Sequence, residues 1–421
     1  MNFAGWFRRI ATYDLFPAFS ARVRRALYNP LGILILAAIA ALLCGLVLHA
    51  QGLALFGGVV AVIGLGMIWP WLTVRAVRGS LAFDRTRATE GEPVGVQLTL
   101  HNRLWVPAWG LAVRGGLATD DQAVVVAVAT TPARRTALGR WSFIPPQRGV
   151  YPRAAPRLST GFPFGLWNPS RALPVEEALV VWPRTFPVGP IPPMSGDYQV
   201  EGNVSRNRVG STGDVLGVRP YRRGDSPRRI HWGQTAKHDR LIVCELQANS
   251  RPMIQLVLDV DAHVHSGAGP DSSLEWAIRI VASLAQGWLQ AGAQVGLVWA
   301  GGAIPPASGR SQLLRILDAL AALPQTIHQP LGELLHGPRC HQFRDGLQVI
   351  VTTDRGHSHP SCRACVADHQ RWVILSYHGF AGDQSSPVPC RLCIEPWLRI
   401  DHPQEIPTKL RCGWREARHG S

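Results

Sequence analysis

The chain has 421 residues, 46% of them apolar, and its 43 basic against 28 acidic side chains give a formal charge of +15. That length exceeds one ordinary domain and suffices for two or three, each with its own core. The charge is spread along the chain and carried almost wholly by arginine, with Lys237 and Lys409 as the lysines, so no clustered basic patch points to nucleic acid.

From Leu31 to Val74 there is no Asp, Glu, Lys or Arg. A helix crossing a bilayer needs about 20 apolar residues, and a charge at its centre costs about 2.5–3.5 kcal/mol on insertion scales. The run therefore reads as two spans, Leu31 to Ala50 and Leu53 to Leu72, within a hairpin over 30–75. Arginines flank both outer ends: Arg8, Arg9, Arg22, Arg24 and Arg25 before it, Arg75, Arg78, Arg85 and Arg87 after it. Both ends are thus expected on the cytoplasmic side, with 1–29 as a cytoplasmic leading segment. A cleaved signal peptide is not expected, because the run begins too late and is too long. With everything after Arg75 in the cytoplasm, the eight cysteines meet a reducing compartment where disulfides are not expected. The tripeptide Arg223-Gly224-Asp225 then has no extracellular receptor to meet.

Residues 80–190 read as short strands between Pro- and Gly-rich turns: "VGVQLTLHN" from Val94, "WGLAVRGG" from Trp109, "DQAVVVAVAT" from Asp121 and "EALVVWP" from Glu177. Such spacing predicts a small β-sandwich. A linker and a basic segment occupy 191–250. Over 251–400 strands and helices alternate. "MIQLVLDVD" reads as a buried strand, and Ser272 with Glu275 forms a capping box opening the helix "LEWAIRIVASLAQGWLQAG". "QVGLVWA", the helix "SQLLRILDALAAL", and the strands "LQVIVTTD" and "RWVILSYH" follow. This alternation predicts an α/β domain on a largely parallel, two-sided sheet. Residues 401–421 form a tail.

The basic segment carries Arg219, Tyr221, Gly224, Asp225, Arg228, Ile230, His231, Trp232 and Ala236 in the order of a known signature. It resembles that of domain-of-unknown-function family fifty-eight, membrane-anchored bacterial proteins similar to von Willebrand A domains. "RGVYPRAAPRLSTGFPFGLW" (Arg148 to Trp167), "VVWPR" and the two-helix amino terminus are similar to further parts of that family. Gly233 stands where the family usually has lysine, and Phe162 where it usually has aspartate. The resemblance implies the full fold class: a membrane-anchored α/β plus β protein with two transmembrane helices, a small β-sandwich and a von Willebrand A-like, Rossmann-like α/β domain. It also implies a partner, a MoxR-type AAA+ ATPase, at the bacterial inner membrane. Read from its residues, the segment is a clasp between the two soluble domains, with Asp225 accepting from turn amides or paired to Arg219 or Arg228 and with Ile230 and Trp232 on one face of a strand. The alternative is a docking surface for an acidic partner.

Two metal constellations stand beside it. In von Willebrand A domains the first strand ends in a carboxylate and two serines that hold a hard divalent cation. Here Asp259 and Asp354 match the carboxylate positions, while Asp261 and His263 replace the serines. Asp259, Asp261 and Asp354 are therefore candidate ligands for magnesium, although imidazole suits transition metals better. Cys362, Cys365, Cys390 and Cys393 form two Cys-x-x-Cys units, a candidate zinc site, with His357, His359 and His369 near the first. Neither a nucleophile elbow, a phosphate loop nor a dinucleotide fingerprint occurs. The function expected is a non-enzymatic adaptor bound to the lipid bilayer; the alternative is a module or enzyme using Mg2+ or Zn2+.

Overall fold

The computed structural model describes residues 30–117, 123–189, 209–222, 226–247, 252–324, 328–341, 346–358, 370–380 and 396–413. The chain divides into two units, the first holding Glu92–Pro145, Val150–Leu179 and the chain up to Ala88. The second holds Val180 onward together with two earlier excursions, Thr89–Gly91 and Pro146–Gly149.

In the first unit, α1 (Pro30–Val47) and α2 (Gln51–Ala76) are both long and apolar enough to cross a membrane. Large side chains such as Ile39, Leu46, Leu55 and Ile68 are exposed, whereas the small Ala38, Ala41 and Gly52 are buried. A Cβ on Gly52 would come within 2.6 Å of the Gly45 Cα and 2.9 Å of the Ala41 carbonyl oxygen. Backbones approach this closely only where side chains are absent or small.

The chain turns extended at Val77 and enters β1 (Val77–Phe83), then β2 (Val94–Asn102), β3 (Ala108–Arg114), β4 (Val124–Thr131), β5 (Thr136–Phe143), β6 (Arg157–Thr160) and β7 (Ser170–Ala172). These form two antiparallel sheets, ordered β1-β2-β5 and β4-β3-β6-β7. Strict alternation buries Val94, Val96, Leu98 and Leu100 of β2 and Leu111 and Val113 of β3. Buried Asn102 holds the β2–β3 turn, accepting from the Leu104 N–H at 2.9 Å and donating to the Val106 carbonyl at 2.9 Å.

Beyond the short strand Leu179–Trp182, the second unit continues with β8 (Val209–Pro220), which pairs antiparallel with β9 (Ile242–Gln247) across the short helix α3 (Trp232–His238). Its main sheet follows. β10 (Met253–Leu258) leads to α4 (Ser273–Gln290), β11 (Gln294–Trp299), β12 (Gly302–Ala307) and α5 (Arg310–Ala322). After α6 (Leu331–His336) come β13 (Leu347–Thr353), α7 (Asp354–Ser358), β14 (Gln370–Leu375) and β15 (Leu398–Ile400). The six strands lie in the order β12-β11-β10-β13-β14-β15, parallel except for β12. Every position of β13 is buried, as expected of a strand covered on both faces. The apolar stripe of α4, including Ile278, Val281, Leu284 and Ala285, lies in the same core as Leu256, Leu297 and Val349.

The periodicity predicts β10, α4, β11, α5, β13 and β14; it does not predict β12 or β15. Pro305 and Pro306 obscure β12, yet its edge position tolerates missing N–H donors.

The capping box is half formed. Ser272 Oγ accepts from the Glu275 N–H at 3.3 Å, but the Glu275 carboxylate turns instead to Arg148. Two bonds of 2.9 and 3.0 Å join them, with side-chain exposures of 0% and 3%. Arg148 also donates to the carbonyls of Leu320 at 2.7 Å and Leu323 at 3.1 Å, at the carbonyl end of α5, where positive charge is favoured. Its backbone N–H donates to Glu90 Oε1 at 2.7 Å, and Glu90 Oε2 accepts from Arg279 Nε at 2.9 Å. Both excursions of the second unit are thereby bonded to α4.

Removing one member of a buried pair leaves the other charge uncompensated, which costs about 3–5 kcal/mol. Glu275→Gln is expected to destabilise the second unit by that amount in denaturant unfolding of the detergent-solubilised chain. Arg148→Met with Glu275→Leu is expected to recover part of the loss, the remainder reflecting carbonyls at the end of α5 left without a donor.

Candidate functional site

In the main sheet the chain moves outward from β10 through β11 to β12, then returns to the middle and moves the other way through β13, β14 and β15. The crevice between the carboxyl ends of β10 and β13 is thus a topological switch point, where doubly wound sheets hold their ligands. Asp259 follows β10 directly, Asp261 lies two residues on, and Asp354 opens α7 directly after β13.

Asp259 is buried and its oxygens are engaged. Oδ1 accepts from the Asp261 N–H at 3.1 Å and Oδ2 from the Thr352 hydroxyl at 2.6 Å. Gly356 makes room for this pair, since a Cβ there would stand 2.6 Å from Oδ2. Burial is the largest influence on the Asp259 carboxyl and raises its pKa above the ordinary value. His265 sits beside it. Its Nε2 lies 2.9 Å from the Asp259 carbonyl oxygen, an acceptor, so Nε2 carries the proton. Nδ1 then accepts from the Ser273 hydroxyl at 3.0 Å, and Ser273 Oγ accepts from the Ser266 N–H at 2.8 Å. A neutral imidazole satisfies every partner, in keeping with a His265 pKa lowered chiefly by burial.

Asp354 Oδ1 accepts from the N–H groups of Arg355 at 2.9 Å and Tyr377 at 3.0 Å. Asp261 Oδ1 accepts from the His263 N–H at 3.1 Å and lies 3.9 Å from His328 Nδ1. The His263 and His328 rings face each other with centroids 4.7 Å apart. Among the described residues, the donor atoms that converge are those of Asp261, His263 and His328, all within 4.8 Å of one another. Oxygens already bonded to protein donors suit a hard cation such as magnesium poorly, because it demands near-ideal octahedral geometry. Two imidazoles and one carboxylate suit zinc or a similar transition metal. Donor atoms around tetrahedral zinc stand about 3.4 Å apart, within reach of small rotations by the exposed His263 and His328 side chains.

The family-signature segment presents a different surface. Arg219 and Tyr221 lie at the end of β8 and just past it, and Ile230 bridges to Val243 of β9. Trp232 does not lie on a strand beside Ile230, as the sequence reading has it. It opens α3 because His231 caps that helix, its Nδ1 accepting from the Gln234 N–H at 3.2 Å. Trp232 is 68% exposed, and Arg228, His231 and Ala236 are exposed as well. Gly224, Asp225, Cys362, Cys365, Cys390 and Cys393 lie outside the described residues, as do His359 and His369.

Residues 217–358 match the family described as Protein of unknown function DUF58. The match supports the DUF58 family. The DUF58 region takes in the signature segment, the switch-point aspartates and all three converging metal donors. No curated protein matches the chain. Similar solved structures include an inactive mutant of a GH20 exo-β-N-acetylglucosaminidase from Vibrio harveyi, at 10% identity and a TM-score of 0.17, covering 50% of this chain and 37% of that one. A cycloisomaltooligosaccharide glucanotransferase from Paenibacillus, complexed with cycloisomaltoheptaose, is similar at 12% identity and a TM-score of 0.18, covering 71% of this chain and 48% of that one. This chain spans less than half the length of either, and TM-scores this low carry no inference of fold or activity.

Sequence reasoning places Asp259, Asp261 and Asp354 at strand ends but misses His328, which no local spacing links to His263. It also misses His265, whose only sequence signal is its place in "HVHS" after the strand.

Burial likewise lowers the pKa of His357. Below the ordinary histidine value of 6.5 the unfolded chain takes up protons that folded His265 and His357 resist. Stability is therefore present above pH 6.5 and lost as pH falls through the folded pKa values. Asp259 acts in the opposite sense, since its raised pKa favours the folded state on acidification. In denaturant unfolding between pH 7.5 and pH 5, about the range in which histidine titrates, stability is expected to fall, with a shallower slope in His265→Gln. An unchanged slope would contradict a buried neutral His265.

Proposed function

We propose that the chain is a non-enzymatic adaptor anchored in a bacterial inner membrane by α1 and α2, with its soluble units on the cytoplasmic side. Its second unit serves as a von Willebrand A-like module working with a MoxR-type AAA+ ATPase in the maturation or assembly of other proteins. The observation that carries this reading is the coincidence, in one stretch, of the DUF58 match with a doubly wound sheet whose switch point bears Asp259, Asp261 and Asp354. The arginines flanking the apolar run support the orientation. The exposure of both Trp232 and Arg228 favours docking over a clasp, because aromatic and arginine side chains dominate interface energetics.

Purification in mild detergent under nucleotide-trapping conditions is expected to recover an AAA+ ATPase. Trp232→Ala with Arg228→Glu is expected to reduce that recovery by about tenfold or more, as removal of a binding hot spot does. An intact, folded chain that retains no ATPase would end the adaptor reading.

A second reading is favoured by the convergence of Asp261, His263 and His328: a zinc-bearing module, with the metal held by these side chains and open to a ligand from solvent. The metal would supply Lewis acidity, while the hydrogen bond from the His263 N–H holds the Asp261 carboxylate in place. Metal analysis of the purified full chain tests it. One equivalent of zinc should vanish in His263→Ala with His328→Ala and persist in Cys362→Ser with Cys390→Ser; the reverse pattern would assign the zinc to the cysteine pairs.

A further inference from the structure

Near its carboxyl end α2 carries a landmark: the Arg75 guanidinium lies over the Trp71 ring, 4.3 Å from its centroid. Such a tryptophan and arginine pair is what helices place at a membrane–water boundary. Gly66 lies five residues earlier, about 8 Å of helix rise inside that level, and it is buried. A Cβ at Gly66 would come within 2.6 Å of Leu166 Cδ1 and 3.2 Å of Phe164 Cδ2. The loop from β6 to β7, "GFPFGLWNP" over 161–169, therefore packs on α2 at a depth where the helix exposes Leu65 and Ile68 on its other sides.

That loop is built for an apolar solvent. No charged side chain occurs between Arg157 and Arg171, and Phe162, Phe164 and Trp167 are exposed. The Trp109 ring lies 5.2 Å from that of Phe162, which extends the aromatic surface. Several backbone groups are already accounted for. Pro163 has no N–H, Phe162 N–H donates to Thr160 Oγ1 at 3.2 Å, and Gly165 N–H donates to the Gly161 carbonyl at 2.6 Å. The Thr160 hydroxyl in turn donates to the Trp109 carbonyl at 3.1 Å. In hydrocarbon, irregular backbone is tolerated only when its polar groups are paired or covered by protein. In water, three large aromatic side chains beside an apolar helix would lie unburied.

We propose that this loop is inserted in the membrane and seats Phe162, Phe164 and Trp167 among lipid acyl chains alongside α2. The inference rests on the reading that α1 and α2 cross a bilayer, and the experiment separates the two. The full chain is reconstituted into vesicles of phosphatidylethanolamine with a minority of phosphatidylglycerol. Benzoylphenylalanine, a photoreactive residue, stands in place of Phe164, of Ile68 on the exposed face of α2, or of Trp232 as an exposed aromatic in the second unit. After irradiation, covalent phospholipid adducts are measured by mass spectrometry. Adducts at Phe164 and Ile68, with none at Trp232, are the result expected. Adducts at Ile68 without adducts at Phe164 would overturn the inserted loop and leave the bilayer reading standing. A protein adduct at Phe164 in place of lipid, or equal lipid labelling at Trp232, would overturn it as well. No lipid adduct at either Ile68 or Phe164 would overturn both.

Discussion

The constraint to which the rest of the molecule answers is the apolar surface of α1 and α2. A leucine or isoleucine left in water forfeits about 1.5–3 kcal/mol relative to burial, and these helices present such side chains around most of their circumference. Among the residues they pack away are the small Ala38, Ala41 and Gly52. Helices that keep small residues for one another and turn large ones outward follow the packing logic of hydrocarbon, where association depends on close backbone approach. On the proposed reading, orientation, compartment and partner all descend from this choice of solvent.

The second unit is organised by a different interaction. Arg148 and Glu275 are buried, bonded to each other twice, and supported by Glu90 and Arg279. An isolated ion pair of this kind gives little net stability, because desolvation offsets attraction. Its worth here lies in geometry. The guanidinium fork fixes the start of α4 and the end of α5 together, and α4 in turn carries Ser273, whose hydroxyl holds His265 against the Asp259 carbonyl. A stability network and the switch-point crevice thus share one helix.

Much of this was legible in the sequence because periodicity reports burial. The alternation in "VGVQLTLHN" and the near-continuous apolar run of "LQVIVTTD" announce a one-sided and a two-sided strand, and the structure contains both. The capping box announced the start of α4, but its glutamate found a stronger partner in Arg148, and that choice depends on a residue far away in the chain. Pro305 and Pro306 hid β12, since a sequence does not reveal that a strand lies at an edge. Trp232 reads as strand in the sequence because its helix has only seven residues and its cap is a histidine. The site divides the same way. Aspartates that follow strands could be found from the strands, whereas the pairing of His263 with His328 arises only when the chain folds back.

The most direct test of the account is topology. Protease added to intact spheroplasts should leave residues beyond Arg75 undigested, and the same protease added to inverted membrane vesicles should release them. Digestion of the DUF58 region from the outer face would contradict the cytoplasmic placement, and with it the case for an ATPase partner.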